Sequence, residues 1–141
     1  MRTILIFISA IFLLAGCENS TTDPVLSQLN GQWKLVKIGV GFPMPNGPTE
    51  LSPDYEEILE FNSQKSSFTR SKDGKVVEKS DVSFMADNNA SQLRGDLVFE
   101  DSKTYSPMWF TETPKYLVLY QSAPIGATLA DGNSFFYEKI K

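Results

Sequence analysis

The sequence predicts an all-β domain, an eight-stranded up-and-down antiparallel β-barrel. Eight short runs rich in β-branched and aromatic residues are separated by turn residues, which is the strand signal. Several runs alternate apolar and polar residues, as strands with one buried and one wet face do. No long stretch shows helical periodicity. Consecutive strands with short connections avoid exposed edges best by closing on themselves. About eight strands enclose a space that side chains fill or that one small ligand occupies.

Two segments precede the strands. Residues 1–16, MRTILIFISAIFLLAG, combine a positive start at Arg2, an apolar run and small residues at the end. The run is shorter than the roughly 20 apolar residues that span a membrane, and the pattern is that of a secretory signal. Leu14-Ala15-Gly16-Cys17 resembles the lipobox of bacterial lipoproteins. The resemblance implies diacylglyceryl transfer to Cys17, cleavage before it and acylation of the new amino terminus. Two or three acyl chains make a stable anchor where one does not. Cys17 is the only cysteine, and lipidation accounts for an otherwise unpaired thiol in an oxidising compartment. Residues 17–28 read as a lipidated tether. Glu18-Asn19 lacks the Asp after cysteine that resembles an inner-membrane retention signal, which favours the outer membrane.

The barrel domain is expected over residues 29–141. Its strands are read at Gly31–Ile38, Glu56–Asn62, Ser66–Ser71, Lys75–Met85, Gln92–Glu100, Thr104–Thr111, Tyr116–Gln121 and Ser134–Ile140. Lys72-Asp73-Gly74 marks a hairpin, because glycine supplies the positive φ of the turn. Val76, Val82 and Phe84 share one parity against Lys79, Asp81 and Ser83. Leu93, Leu97 and Phe99 oppose Arg94, Asp96 and Glu100. Tyr116–Tyr120 is apolar on both faces, so something is expected to cover its outside. Pro53–Leu59 could open as a helical turn. Phe61, Phe84, Phe99, Trp109 and Phe135 are expected in the core, since aromatic residues dominate cores.

Composition excludes much chemistry. The chain has no histidine, so Ser-His-Asp and Cys-His catalysis are excluded, as are ordinary zinc and copper sites. No phosphate-binding glycine loop or dinucleotide fingerprint appears, and no metal or cofactor is expected. Loss of residues 1–16 leaves 125 of 141 residues and moves the formal charge from −4 to −5 as Arg2 departs. An acidic surface without a basic cluster argues against nucleic acid. Glu56, Glu57 and Glu60 are expected on a solvated strand edge, although Glu57 shares parity with Leu59 and Phe61. Catalysis is not expected; two convergent carboxylates in a cavity, or a Tyr beside a Lys, would argue for it.

Asn30-Gly31-Gln32-Trp33-Lys34-Leu35 resembles the Gly-x-Trp opening of lipocalins, and Asp131–Lys141 resembles the closing strand of short lipocalin-like lipoproteins of Bacteroidota. The resemblance implies that Trp33 lies at the closed end of the barrel under a basic side chain from the last strand. Lys139 or Lys141 would supply that cation where the family usually has arginine. It also implies that the first connection folds as a lid.

That connection, Gly39–Asp54, carries four prolines and three glycines and is longer than the usual loop. Phe42 and Met44 then face the cavity, held there by the prolines; the alternative is a disordered or partner-free surface loop. The loop Ser122–Asn133 carries Ile125 and Leu129. Both loops follow odd-numbered strands, so an up-and-down barrel places them at one end. Phe42, Met44, Ile125 and Leu129 are therefore the candidate ligand-binding residues around one mouth. The expected function is a membrane-anchored module binding a small apolar or amphipathic ligand; the alternative is a structural lipoprotein with a filled barrel that docks a protein partner.

Overall fold

The computed structural model describes residues 23–87, 94–113 and 115–141. Cys17, the signal segment, the first part of the tether, and Gln92 and Leu93 lie outside the described residues. A short helix, α1 (Pro24–Leu29), precedes ten strands: β1 (Gly31–Gly39), β2 (Glu50–Leu51), β3 (Glu57–Asn62), β4 (Ser67–Lys72), β5 (Lys75–Ala86), β6 (Arg94–Phe99), β7 (Thr104–Phe110), β8 (Leu117–Tyr120), β9 (Ala123–Pro124) and β10 (Ser134–Lys139). Eight of them pair in the order β1-β3-β4-β5-β6-β7-β8-β10, and β10 returns to β1. Every pairing is antiparallel, so the barrel is closed and up-and-down. β2 and β9 are two-residue additions on β1 and β7.

The β4–β5 hairpin turns on Asp73 and Gly74, at φ 49° and 76°. Positive φ at both central residues matches the right-handed twist of the flanking strands. The register then slips: Arg70 faces Glu78 while Ser71 faces Val76. Val77 is the extra residue of a bulge, and a bulge exchanges the two faces of a strand. Val76 consequently points outward and is exposed, contrary to the parity that groups it with Val82. A second slip, between Leu35 and Lys37, leaves Trp33, Leu35 and Ile38 on the core side and lays the Lys37 ammonium over the Phe136 ring on the outer face, 4.3 Å from its centroid.

α1 plugs one end of the barrel. Asp23 caps it by accepting from the Val25 amide at 2.8 Å, and Pro24 starts the first turn, where its missing N–H costs nothing. Val25, Leu26 and Leu29 are buried, and Trp33 Nε1 donates to the Leu29 carbonyl at 2.7 Å. Residues 24–28 therefore belong to the fold rather than to the tether in which the sequence places them. Three apolar side chains at i, i+1 and i+4 are too few for a periodicity to show, yet they bury one face of a six-residue helix.

Inside, apolar residues fill the end next to α1. Phe61, Phe68 and Phe99 contact one another in sequence, with ring centroids 5.1 and 4.8 Å apart, and Leu59, Leu97, Met108 and Leu117 are fully buried beside them. Phe84 and Phe135 pack partly buried against this core. Trp109 does not join it. Its neighbours Met108 and Phe110 take the inward positions, and Trp109 lies outside beneath the Arg94 guanidinium. Trp109 and Phe136 flank Val118 across the sheet, which explains how β8 is buried on both faces. Pro53–Leu59 forms no helical turn; it leads straight into β3.

Candidate functional site

The interior changes character along the barrel axis. Read from the α1 end upward, β3 turns inward Phe61, Leu59 and then Glu57; β4 turns inward Phe68 and then Arg70; β10 turns inward Tyr137 and then Phe135. The upper third thus collects polar groups. A cavity of about 330 Å³ opens there. Glu57, Arg70 and Tyr137 lie deepest, Ser106, Leu119 and Phe135 form walls, and Tyr55, Tyr120, Gln121 and Ser122 form the rim.

The deep groups form one network. Tyr137 is 2 % exposed, and its hydroxyl donates to Glu57 Oε1 at 2.6 Å. Burial, then the Glu57 charge and this hydrogen bond, hold the Tyr137 phenol well above its ordinary pKa. Arg70 lies between two carboxylates, 4.0 Å from Glu57 through Nε and 3.4 Å from Glu78 through Nη1. Its Nε is buried without an acceptor among the described residues. An unsatisfied buried N–H is costly, and the Glu57 charge 4.0 Å away offsets part of that cost. The Tyr55 phenol is raised as well, by partial burial and then by Glu57 and Asp54, and the Lys72 ammonium lies 3.6 Å from its ring centroid.

The sequence-derived candidates sit elsewhere. Phe42 and Met44 are 77 % and 79 % exposed, and Ile125 is exposed while Leu129 is half-buried. None of the four lines the cavity. The reason for the first pair is β2: its pairing with Ile38 and Gly39, with the Val40 amide donating to Thr49, makes the connection a hairpin extending the barrel wall instead of a lid over the mouth. Leu129 packs against Gly132, where an added Cβ would come within 2.9 Å of it. The two loops do share one end, as strand order requires: the Gly41 amide donates to Asn133 Oδ1 at 3.1 Å. Tyr105 and Tyr120 spend their hydroxyls on the second loop, donating to the Ala127 and Ala130 carbonyls.

Glu57 overturns the solvated-edge reading for that residue, whereas Glu56 and Glu60 are exposed. Its parity with Leu59 and Phe61 was the available signal. At the opposite end, Lys139 Nζ lies 5.3 Å from the Trp33 ring centroid. Gly31, two residues before Trp33, has φ +115°, and an added Cβ would collide with the Lys141 carbonyl, so this position demands glycine. Among the described residues no group of three or more Cys, Asp or Glu converges to hold a metal ion.

Taken together, the closed eight-stranded barrel, its plugged end and its polar mouth define an architecture consistent with a lipocalin-like fold. Comparison of the chain with protein-family models, curated proteins and solved structures returned no match.

Proposed function

We propose that this protein is a lipid-anchored lipoprotein of the bacterial cell envelope, held through Cys17, whose barrel binds a small amphipathic molecule at its mouth. The observation that carries the binding reading is the cavity of about 330 Å³, which lies within the size range of small-molecule sites. It sets Leu119 and Phe135 beside Glu57, Arg70 and Tyr137. A wholly apolar ligand would leave that polar network desolvated and unpaired, at a cost, so the amphipathic half of the expectation is the better supported one. Catalysis is less well supported. Glu57 and Glu78 converge, but on Arg70, which stands between them as a counter-ion, and Glu78 does not line the cavity. Tyr55 does stand beside Lys72, but the ammonium lies over the ring, 3.6 Å from its centroid, and the phenol is raised, the reverse of an activated one.

Native mass spectrometry of the lipidated protein tests the binding reading. A small-molecule adduct is expected on the wild type and not on Ser122→Trp, whose indole would obstruct the rim. An adduct-free wild type, or an adduct that survives the obstruction, argues against the mouth as the site. The anchor has its own test: palmitate labelling should vanish in Cys17→Ala. A second reading, docking of a protein partner, draws support from the exposed side chains of Phe42 and Met44 at the tip of the first loop.

A further inference from the structure

We infer that the molecule held in the mouth carries an uncharged, hydroxyl-bearing head group, of the kind a sugar or other polyol presents, and no carboxylate, phosphate or ammonium. This rests on the binding reading above and deepens it. Three observations combine.

The first is charge balance. Arg70 already faces Glu57 and Glu78, and Lys72 stands at the rim over Tyr55. Of the charged residues only Arg70 and Glu57 line the cavity, one of each sign and paired with each other, so neither sign is left over for an ionic ligand. A carboxylate approaching Arg70 would come up against Glu57, and an ammonium approaching Glu57 would come up against Arg70. Like charges brought together in a partly desolvated site repel strongly.

The second is the hydrogen-bonding inventory. Beside the ion pair the wall carries the uncharged polar side chains of Tyr55, Gln121 and Ser122. Glu57 uses Oε1 for both the Tyr137 hydroxyl and the guanidinium, leaving Oε2 to accept from the cavity. A hydroxyl is the smallest group that accepts from one neighbour and donates to another at once. A ring bearing several hydroxyls answers Glu57 Oε2 and these uncharged groups together. Carbonyls supply only the first half and ammonium groups only the second.

The third is shape and polarity. The space accommodates about one substituted sugar ring, given typical ligand-site volumes, and it sets Phe135 and Leu119 beside the polar wall. A sugar ring has apolar C–H faces and polar edges, and the cavity is divided in the same way.

The experiment uses three phenyl glycosides that share a ring and an aglycone: phenyl β-D-glucoside, phenyl β-D-glucuronide and phenyl β-D-glucosaminide. They are titrated into the full-length lipidated protein in nanodiscs and followed by saturation-transfer NMR. The glucoside is expected to bind, with the carboxylate and ammonium analogues weaker by about tenfold or more, the scale of a hydrogen bond to a charged group. Glu57→Gln should weaken the glucoside and strengthen the glucuronide. If that variant does not fold, as circular dichroism would show, Glu78→Gln alters the charge without touching the cavity wall and should strengthen the glucuronide alone. A glucuronide or glucosaminide that binds as well as the glucoside overturns the head-group inference and leaves the binding reading intact. So does the absence of all three from a protein whose native mass spectrum carries another adduct. Absence of all three from an adduct-free protein overturns both.

Discussion

Tyr137 and Glu57 show how one residue pair joins stability to the site. They are 80 positions apart in sequence and 2.6 Å apart in the fold. Because burial and Glu57 raise the Tyr137 phenol well above 10.0, the folded state keeps a proton that the unfolded chain releases near that pH. The linkage sign follows: below about pH 10 this group makes stability independent of pH, and above it stability falls as pH rises toward the folded-state value. Tyr137→Phe removes the titrating proton. It should lower stability at neutral pH by about 1.5–3 kcal/mol, the worth of a hydrogen bond to a charged acceptor, and flatten the alkaline decline. Urea midpoints measured from pH 8 upward check both effects, and an equally steep alkaline decline in the variant would contradict the assignment. The inward face of Glu57 was readable from its parity with Leu59 and Phe61. Its partner was not, because a cross-barrel contact depends on register between distant strands, and no local pattern encodes that.

The elements repeat this division between what is local and what is not. Strand runs, the Asp73-Gly74 turn and the sharing of one end by two loops are consequences of nearby residues and of strand order, and all three were legible in the sequence. The bulge at Val77 and the pairing of β2 with β1 were not, since each depends on which partner strand is available, and together they account for outward Val76 and for the exposed Phe42 and Met44. α1 was missed for a related reason. Six residues are too short to be stable alone, so this helix exists because Leu29 reaches the core and Trp33 donates to its carbonyl. Leu29 is wholly buried while Gln28 is exposed. Leu29→Ala should therefore cost about 2–5 kcal/mol, as buried leucine truncations do, and Gln28→Ala should stay within about 0.5 kcal/mol of wild type, as exposed substitutions do. Chemical denaturation of the two variants side by side checks this. Equal effects would mean that α1 is a dispensable extension of the tether.

For the whole molecule, the decisive relation is between the two ends of the barrel. The chain enters the fold at Asp23, beside α1, and α1 plugs the end opposite the cavity. If Cys17 carries the proposed anchor, only a few residues separate lipid from plug, and a stretch that short spans about 20 Å at most. The plugged end then stands next to the bilayer and the mouth opens away from it, so a ligand would be captured from the aqueous side. The two ends offer well-placed probes. The β3–β4 turn at Gln64 lies at the plugged end and the β4–β5 turn, with exposed Lys75 just after it, at the mouth. Spin labels attached at Gln64→Cys and Lys75→Cys of the lipidated protein in vesicles, relaxed by a nickel-chelating lipid, should report the Gln64 label as the nearer to the membrane. The opposite ranking would turn the mouth toward the bilayer and make a membrane-derived ligand the better reading. Equal relaxation would mean that the tether lets the barrel tumble freely, with no fixed direction of capture.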